Sequence, residues 1–264
     1  MKQHTFVIAN LIVGLILSNQ LLAQNQNTAV LNQQGGNNQL TVTQLGIGND
    51  ALATQNGVSS SHHLYQQGEG NQIVGEFIGE NNIGVHIQVG EMNMLDISQS
   101  NDNHSAFTSQ MGRSNEIKIK QNDSYNKGGN EAVVVQKGQE NMVNINQRLR
   151  NSRVFVAQVG EGNVADVYQY GSGQYVNNES YIIQGGRKNK VEVDQYKENQ
   201  TALVQQSGSE NETKIAQKKG ADNMALVLQQ GHSNMANVNQ QGDSNQSLVI
   251  QHGRKNNALV EQIK

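Results

Sequence analysis

The chain has 264 residues and a net charge of −3 with histidine neutral, is 35% hydrophobic, and contains no Pro, Cys or Trp. Such a balance offers no basic field for nucleic acid, and the absence of Cys excludes any reliance on disulfides. Low hydrophobicity alone describes a disordered chain, but the apolar residues are phased rather than scattered, which predicts a thin ordered core.

Residues 1–23 stand apart from the rest. Lys2 and His4 precede an apolar run from Phe6 to Leu17, and Leu21-Leu22-Ala23 supplies a small-residue cleavage point. The run is about a dozen residues, short of the roughly 20 that a helical membrane span requires, and its flanks are those of a secretory signal peptide. The sequence therefore divides into a signal peptide at 1–23, a short leader at 24–26 and a repeat domain at 27–264, with maturation expected near Gln24.

From Gln33 onward a glutamine recurs at intervals of eleven residues. Gln33, Gln44, Gln55 and Gln66 are followed, after one break at Phe77, by Gln88, Gln99, Gln110 and Gln121. Four extra residues precede the series Gln136, Gln147, Gln158 and Gln169, and four more precede Gln184, Gln195, Gln206 and Gln217. One extra residue precedes Gln229, Gln240, Gln251 and Gln262. Each unit reads N-x-φ-x-φ-x-Q, where φ is small or aliphatic, followed by x-G-x-x; Asn115, Ile117, Ile119 and Gln121 are one example. Strict alternation points these four side chains to one face of a β-strand. Asn38, Asn49, Asn71, Asn115, Asn141, Asn163, Asn189, Asn211, Asn234 and Asn256 hold the leading position and join the glutamines as candidate ladder residues.

Counted from Asn27, the phase gives 21 strands, of which seventeen begin with Asn; the exceptions are Ser60, His104, Ser152 and Gln200. Glycine two residues after the Gln supplies the positive φ of a tight reversal. Two strands and two turns make a 22-residue coil that stacks on the next at about 4.8 Å. The predicted fold is all-β: a two-sided, amyloid-like β-solenoid of about 10–11 coils, roughly 50 Å long. In such a stack each amide lies above its counterpart, so the columns satisfy their own hydrogen bonds. The insertions after Gln121, Gln169 and Gln217 all follow odd-numbered strands, which confines the longer loops, Asn122 to Gly129 and Tyr170 to Asn177, to one edge.

The stretch from Ser60 to Thr108 is the weak part of the pattern. Its inward positions read His62, Gly75, Phe77, Gly84, His86, His104 and Thr108, while Ile83, Val85 and Ile87 fall on the opposite parity. A local bulge near Asn81 is expected to reset the register there.

The motif Q-x-G-x-x-N-x-A-x-V-x-Q, at Gln158 to Gln169 and Gln229 to Gln240, resembles the curlin repeat of bacterial curli fibres, and the resemblance runs from Asn27 to Gln262. It implies an extracellular functional-amyloid subunit of a biofilm matrix, exported by a Gram-negative cell and assembled at its surface for adhesion and aggregation. The same resemblance makes the inward Gln and Asn the polymerisation ladders, and implies a nucleator and a secretion machinery as partners. A G-x-x-N turn after both strands of a coil is similar to the nucleator as well as to the main subunit. No capping helix or proline-bearing cap follows Gln262, so open strand edges are expected to add further copies head to tail.

Charges at outward strand positions, Glu116, Lys118, Lys120, Asp166, Glu192 and Asp194, and in turns, Arg113, Lys188, Glu210, Lys219, Asp243 and Arg254, serve either as a solvated face or as restraints on lateral aggregation. His62, His63, His86 and His104 lack the close spacing of a metal-ligand set. No carboxylate pair is placed for acid–base work, and Gly46-Ile47-Gly48 leads into no helix that could hold a phosphate. No enzyme activity, cofactor, nucleic acid or small-molecule substrate is expected. Asn178 and Asn211 match a glycosylation acceptor by pattern only, because both belong to the inward ladder. Tyr168, Tyr170, Tyr175 and Tyr181 form a candidate outward aromatic patch. The competing class is a monomeric solenoid adhesin or ice-binding protein, which flat outward Thr arrays would favour; the outward residues vary instead in charge and size. A polysaccharide lyase or calcium-binding repeat needs acidic clusters that the chain lacks.

Overall fold

A computed structural model describes residues 26–122, 129–148, 150–170 and 177–263. The expected signal peptide and nearly all of the leader lie outside these residues, as do the middles of the two inserted loops and Tyr175.

Every regular element among the described residues is a strand. The chain runs through β1 (Thr28–Gly36), β2 (Gln39–Ile47), β3 (Asp50–Val58), β4 (Ser61–Glu69), β5 (Gln72–Glu80), β6 (Ile83–Glu91) and β7 (Met94–Ser100). It continues with β8 (Ser105–Arg113), β9 (Glu116–Asn122), β10 (Glu131–Gln139), β11 (Met142–Gln147), β12 (Arg153–Glu161), β13 (Val164–Tyr170) and β14 (Glu179–Arg187). The last third holds β15 (Lys190–Tyr196), β16 (Thr201–Ser209), β17 (Glu212–Lys218), β18 (Met224–His232), β19 (Met235–Gln241), β20 (Gln246–Arg254) and β21 (Asn257–Ile263). Odd strands form one parallel sheet of eleven, even strands a second of ten, and each strand pairs with the strand two along the chain. This is the two-sided solenoid that the spacing predicts.

The register follows the repeat without slip, Gln33 opposite Gln55 and Gln158 opposite Gln184. Inserted residues leave the ladder untouched, because every one of them lies where an odd strand crosses to an even one. Between the sheets the core is a double file of small and aliphatic side chains, among them Ala51, Ile73, Ile117, Val134, Val167 and Val227, each fully buried. Facing β-sheets leave about 10 Å between them, and that width selects the small and β-branched residues.

Two expectations are corrected. The stretch near residue 81 contains no bulge and no break: β6 spans nine residues and pairs continuously with β4 and β8. Ile83, Val85 and Ile87 point outward, and Gly84 and His86 fill the inward positions. The polar residues at the strand ends hold the register here, against the apolar parity. The second correction concerns the turn: the glycines two residues after the Gln do have positive φ, as at Gly46 and Gly160 with 109° and 125°, but they do not make the reversal alone. The even strands, with β1, β3 and β5, run past the Gln or its counterpart Phe77 and include the glycine two residues later, as in Gln158-Val159-Gly160 within β12. The reversal also uses a left-handed residue just before the position that opens most strands, and this residue is often not glycine: Ser59, Met92, Glu140 and Lys188 have φ of 57°, 51°, 54° and 56°.

Candidate functional site

The candidate site is the set of polar columns that line both edges of the solenoid. Asn163 shows how one of them closes. Its backbone N–H and its Nδ2 both donate to Asn141 Oδ1, at 3.1 and 3.0 Å, and Nδ2 also donates to Gly186 O at 3.0 Å. Its own Oδ1 accepts the same two bonds from Asn189 in the next coil, at 3.1 and 3.0 Å. Gln158 is as complete: Nε2 donates to Met142 O at 3.1 Å and to Gln184 Oε1 at 2.7 Å, and Oε1 accepts from Gln136 Nε2 at 2.9 Å. An orphaned amide at such depth would cost about 1–3 kcal/mol, so repetition of the same residue is the condition for burying it.

Every Gln and Asn proposed from the sequence takes part in this arrangement. All are buried except Asn256 and Gln262, which are half-buried in the last coil.

The two edges are not equivalent. Where even strands cross to odd ones, the columns are uniform. Glutamine runs unbroken from Gln44 through Gln66, Gln88 and Gln110 to Gln251. Asparagine opens every odd strand, from Asn27 to Asn256. Glycine holds every matching position from Gly46 to Gly253. At nine of those glycines, from Gly46 to Gly231, a Cβ would lie 1.9–2.1 Å from the carbonyl oxygen of the next glycine.

Where odd strands cross to even ones, substitutions collect. Ser60, His104, Ser152 and Gln200 all stand in the column that opens the even strands. At Ser60 and His104 that column keeps an acceptor for the next coil's backbone N–H, whereas Ser152 Oγ and Gln200 Oε1 are buried with no partner. Asn38 Oδ1 accepts from Ser60 N at 3.1 Å, Ser60 Oγ from Asn82 N at 3.1 Å, and His104 Nδ1 from Asn130 N at 3.1 Å. Because a backbone N–H only donates, His104 carries its proton on Nε2, which donates to Ser100 O at 2.9 Å.

Phe77 is the one interruption of the glutamine columns. It leaves Gln55 Nε2 with no acceptor and Gln99 Oε1 with no donor. Its ring instead stacks on His62, 3.5 Å between centroids and 12° between planes, with His86 6.1 Å away. Gly75 and Gly84 make the room: a Cβ at Gly75 would lie 2.7 Å from the phenyl, and one at Gly84 2.4 Å from His86. His86 Nδ1 reaches Thr108 Oγ1 at 3.0 Å, while both ring nitrogens of His62 and Nε2 of His86 have no partner. Burial pushes His86 down to about 3; burial, then the neighbouring His86 and His63, holds His62 well below its ordinary range. Of the histidines noted in the sequence, His62, His86 and His104 are core residues inside one short segment of the stack, and His63 points outward and is exposed.

Other readings are sorted by sheet. Glu116, Lys118, Lys120, Asp166, Glu192 and Asp194 all lie on the odd sheet. Opposite signs meet there across coils, with Lys214 Nζ 3.5 Å from Glu192 and Lys218 Nζ 2.7 Å from Asp194. Like signs also stack: Asp166 is in register with Glu192, and burial with that neighbour raises its carboxyl above the usual range. Tyr168 and Tyr170 stack at 6.2 Å, and Tyr170 lies 5.7 Å from Tyr196, with the Arg148 guanidinium 5.3 Å from its centroid. Tyr181 belongs to the even sheet and is not part of that patch. Asn178 and Asn211 are fully buried in their columns, which leaves neither side-chain amide open to a glycan.

Among the described residues, β1 and β2 at one end and β20 and β21 at the other are each paired on one side only. The ladders have a direction, Nε2 donating toward the C-terminal end. Accordingly Gln33 Oε1 and Gln44 Oε1 in the first coil have no donor. In the last coil Gln251 Nε2 and Gln262 Nε2 reach only the carbonyls of Met235 and Gln246, at 2.9 and 2.8 Å.

Compared with known proteins, residues 231–263 match the family model described as curlin associated repeat. No curated protein matches the chain. The matched segment spans β19 to β21, and the same spacing recurs through the coils before it. The chain thus carries a curlin associated repeat, which supports its assignment to the curlin family.

Proposed function

We propose that this protein is a secreted structural subunit that polymerises head to tail into extracellular, curli-like amyloid fibres of a biofilm matrix, where the fibres serve adhesion and aggregation. One observation carries the reading. The glutamine columns end in unfilled acceptors, Gln33 Oε1 and Gln44 Oε1, at one end and in donors satisfied only locally, Gln251 and Gln262, at the other. Laid end on end, a second copy continues both the backbone ladder and the amide ladder. Such a contact is heterologous and does not close, so it yields filaments. Export through the N-terminal signal peptide, a nucleator and a secretion machinery as partners, and the absence of catalytic work belong to the same reading.

The test uses the mature chain, residues 24–264. Purified protein is expected to convert, faster with seeds, into thioflavin-binding fibres with a meridional reflection near 4.8 Å. Protein that stays monomeric for days with seeds present would overturn the reading. Conversion of a standard curli subunit by traces of this chain would mark it as the nucleating type.

A further inference from the structure

The two outer faces of the solenoid differ in a way that the repeat does not require. On the odd sheet the two central outward columns carry Glu76, Asp96, Lys118, Asp166, Glu192 and Lys214, among other charges. On the even sheet no position of the corresponding columns, from Thr41 and Thr43 in β2 to Leu248 and Ile250 in β20, is Asp, Glu, Lys or Arg. Ile87, Phe107, Phe155, Ile183, Leu203 and Leu228 lie there instead. Ile183 is 45% exposed and Ile250 53%. In these central columns the exposed large apolar residues are Ile87, Phe107, Val135, Ile183, Leu248 and Ile250 on the even sheet against Val30, Leu52 and Leu259 on the odd one. Patches of this kind mark contact surfaces.

We infer that the outer face of the even sheet is where a second copy of this chain docks, the two solenoids lying side by side with their even sheets face to face. Three features select that occupant. Ten strands at about 4.8 Å give a strip roughly 45 Å long, and five to six residues at about 3.3 Å give it a width near 17 Å. The pair would bury on the order of 1,500 Å², the size of a standard stable interface. The strip also has the relief of a zipper: Phe107 stands beside Ser109 and Phe155 beside Ala157 on the same strands, so ridges of one copy meet hollows of the other at the usual inter-sheet distance of about 10 Å. Finally, one margin is already polar, with Arg153 between Glu131 at 3.5 Å and Glu179 at 3.7 Å, the rim that an apolar centre requires. The charged odd face stays in water. This pairing goes beyond axial growth and does not depend on it.

The chain has no Cys, so a single introduced thiol reports on one face. Ala157→Cys places it at the centre of the even face on β12, and Ala216→Cys at a matched outward position on β17 of the odd face. Alkylation by iodoacetamide is followed from nanomolar to tens of micromolar protein. The Ala157→Cys thiol is expected to become at least tenfold slower to react as concentration rises, the Ala216→Cys thiol to change less than twofold, and Leu203→Lys to restore fast reaction at the first. Axial addition covers only end coils and would leave residue 157 reactive. Fibres with an unprotected Ala157→Cys thiol would therefore sink the lateral pairing and leave the fibre reading standing, and protection without fibres would do the reverse. Equal rates on both faces would overturn the inference, as would protection that appears with phosphatidylcholine vesicles and not with protein concentration.

Discussion

Glycine shows at the scale of one residue how the stack is held. Along the uniform edge, from Gly46 to Gly231, φ lies between +108° and +126°, and the carbonyl of the next glycine occupies the place a Cβ would take. Gly186 and Gly185 are neighbours with opposite roles. A Cβ on Gly186 would sit 2.0 Å from Gly208 O, whereas the nearest atom to one on Gly185 is Gln206 O at 4.0 Å. The obstructing atom is backbone in a strand paired with its neighbours, so it cannot move without parting the ladder. We expect Gly186→Ala to cost about 3 kcal/mol, from the unsuitable φ and the clash together, and Gly185→Ala to stay within about 0.5 kcal/mol. Urea unfolding of the two variants beside the parent measures both; equal losses would show that the close approach is not what selects glycine.

At the scale of the element, the segment β4 to β6 replaces amide satisfaction with aromatic stacking, and that exchange has a pH signature. His62 and His86 are buried and held neutral, with no Asp or Glu at any inward position of the described strands to favour a cation. In the unfolded chain both take a proton near the ordinary histidine value of 6.5, and in the fold His86 does so only at about 3. A lowered folded value means that stability is complete above about pH 6.5 and is lost as the pH falls toward 3. By linkage His86 alone removes about 1.4 kcal/mol per pH unit across that window, and His62 acts in the same direction. The denaturation midpoint is expected to fall steeply between pH 6.5 and 4.5, and the double variant His62→Leu, His86→Leu should flatten the slope. An unchanged slope in that variant would place the acid sensitivity elsewhere. This segment also marks the limit of what the sequence made legible. The eleven-residue phase was enough for strand number, parity, loop edge and every ladder residue, because amide columns and backbone pairing both demand strict recurrence. Reading Ile83, Val85 and Ile87 as core residues led to a bulge that does not exist: in a solenoid the Asn and Gln at the strand ends set the register and apolar parity follows where it can. Sorting Ser60, His104, Ser152, Gln200 and the insertions by parity together would have shown one tolerant edge and one uniform one. The same sorting of outward residues would have separated the charged face from the apolar one.

For the whole molecule, the directed ladder bears on how a filament grows. In every described coil with intact columns, Nε2 donates toward the C-terminal end, as from Gln136 to Gln158 and on to Gln184. Only head-to-tail contact sets the donors of Gln251 and Gln262 against the acceptors Gln33 and Gln44; contact between two first coils would oppose acceptor to acceptor. Removing both amides at one end should therefore block one end of a filament and leave the other free. A chain carrying Gln251→Leu and Gln262→Leu keeps its first coil, adds to the C-terminal end of a growing fibre, and there presents no donors to the next copy. A chain carrying Gln33→Leu and Gln44→Leu should stop the opposite end. Two hydrogen bonds at about 1–1.5 kcal/mol each amount to roughly 2–3 kcal/mol, a slowing of about 30- to 150-fold at the blocked end. Two-colour imaging of single fibres grown from labelled seeds separates the ends, and each variant is expected to arrest a different one. Arrest of both ends by one variant, or of neither end by either, would mean that the backbone edges alone determine addition and that the amide columns only stabilise the subunit.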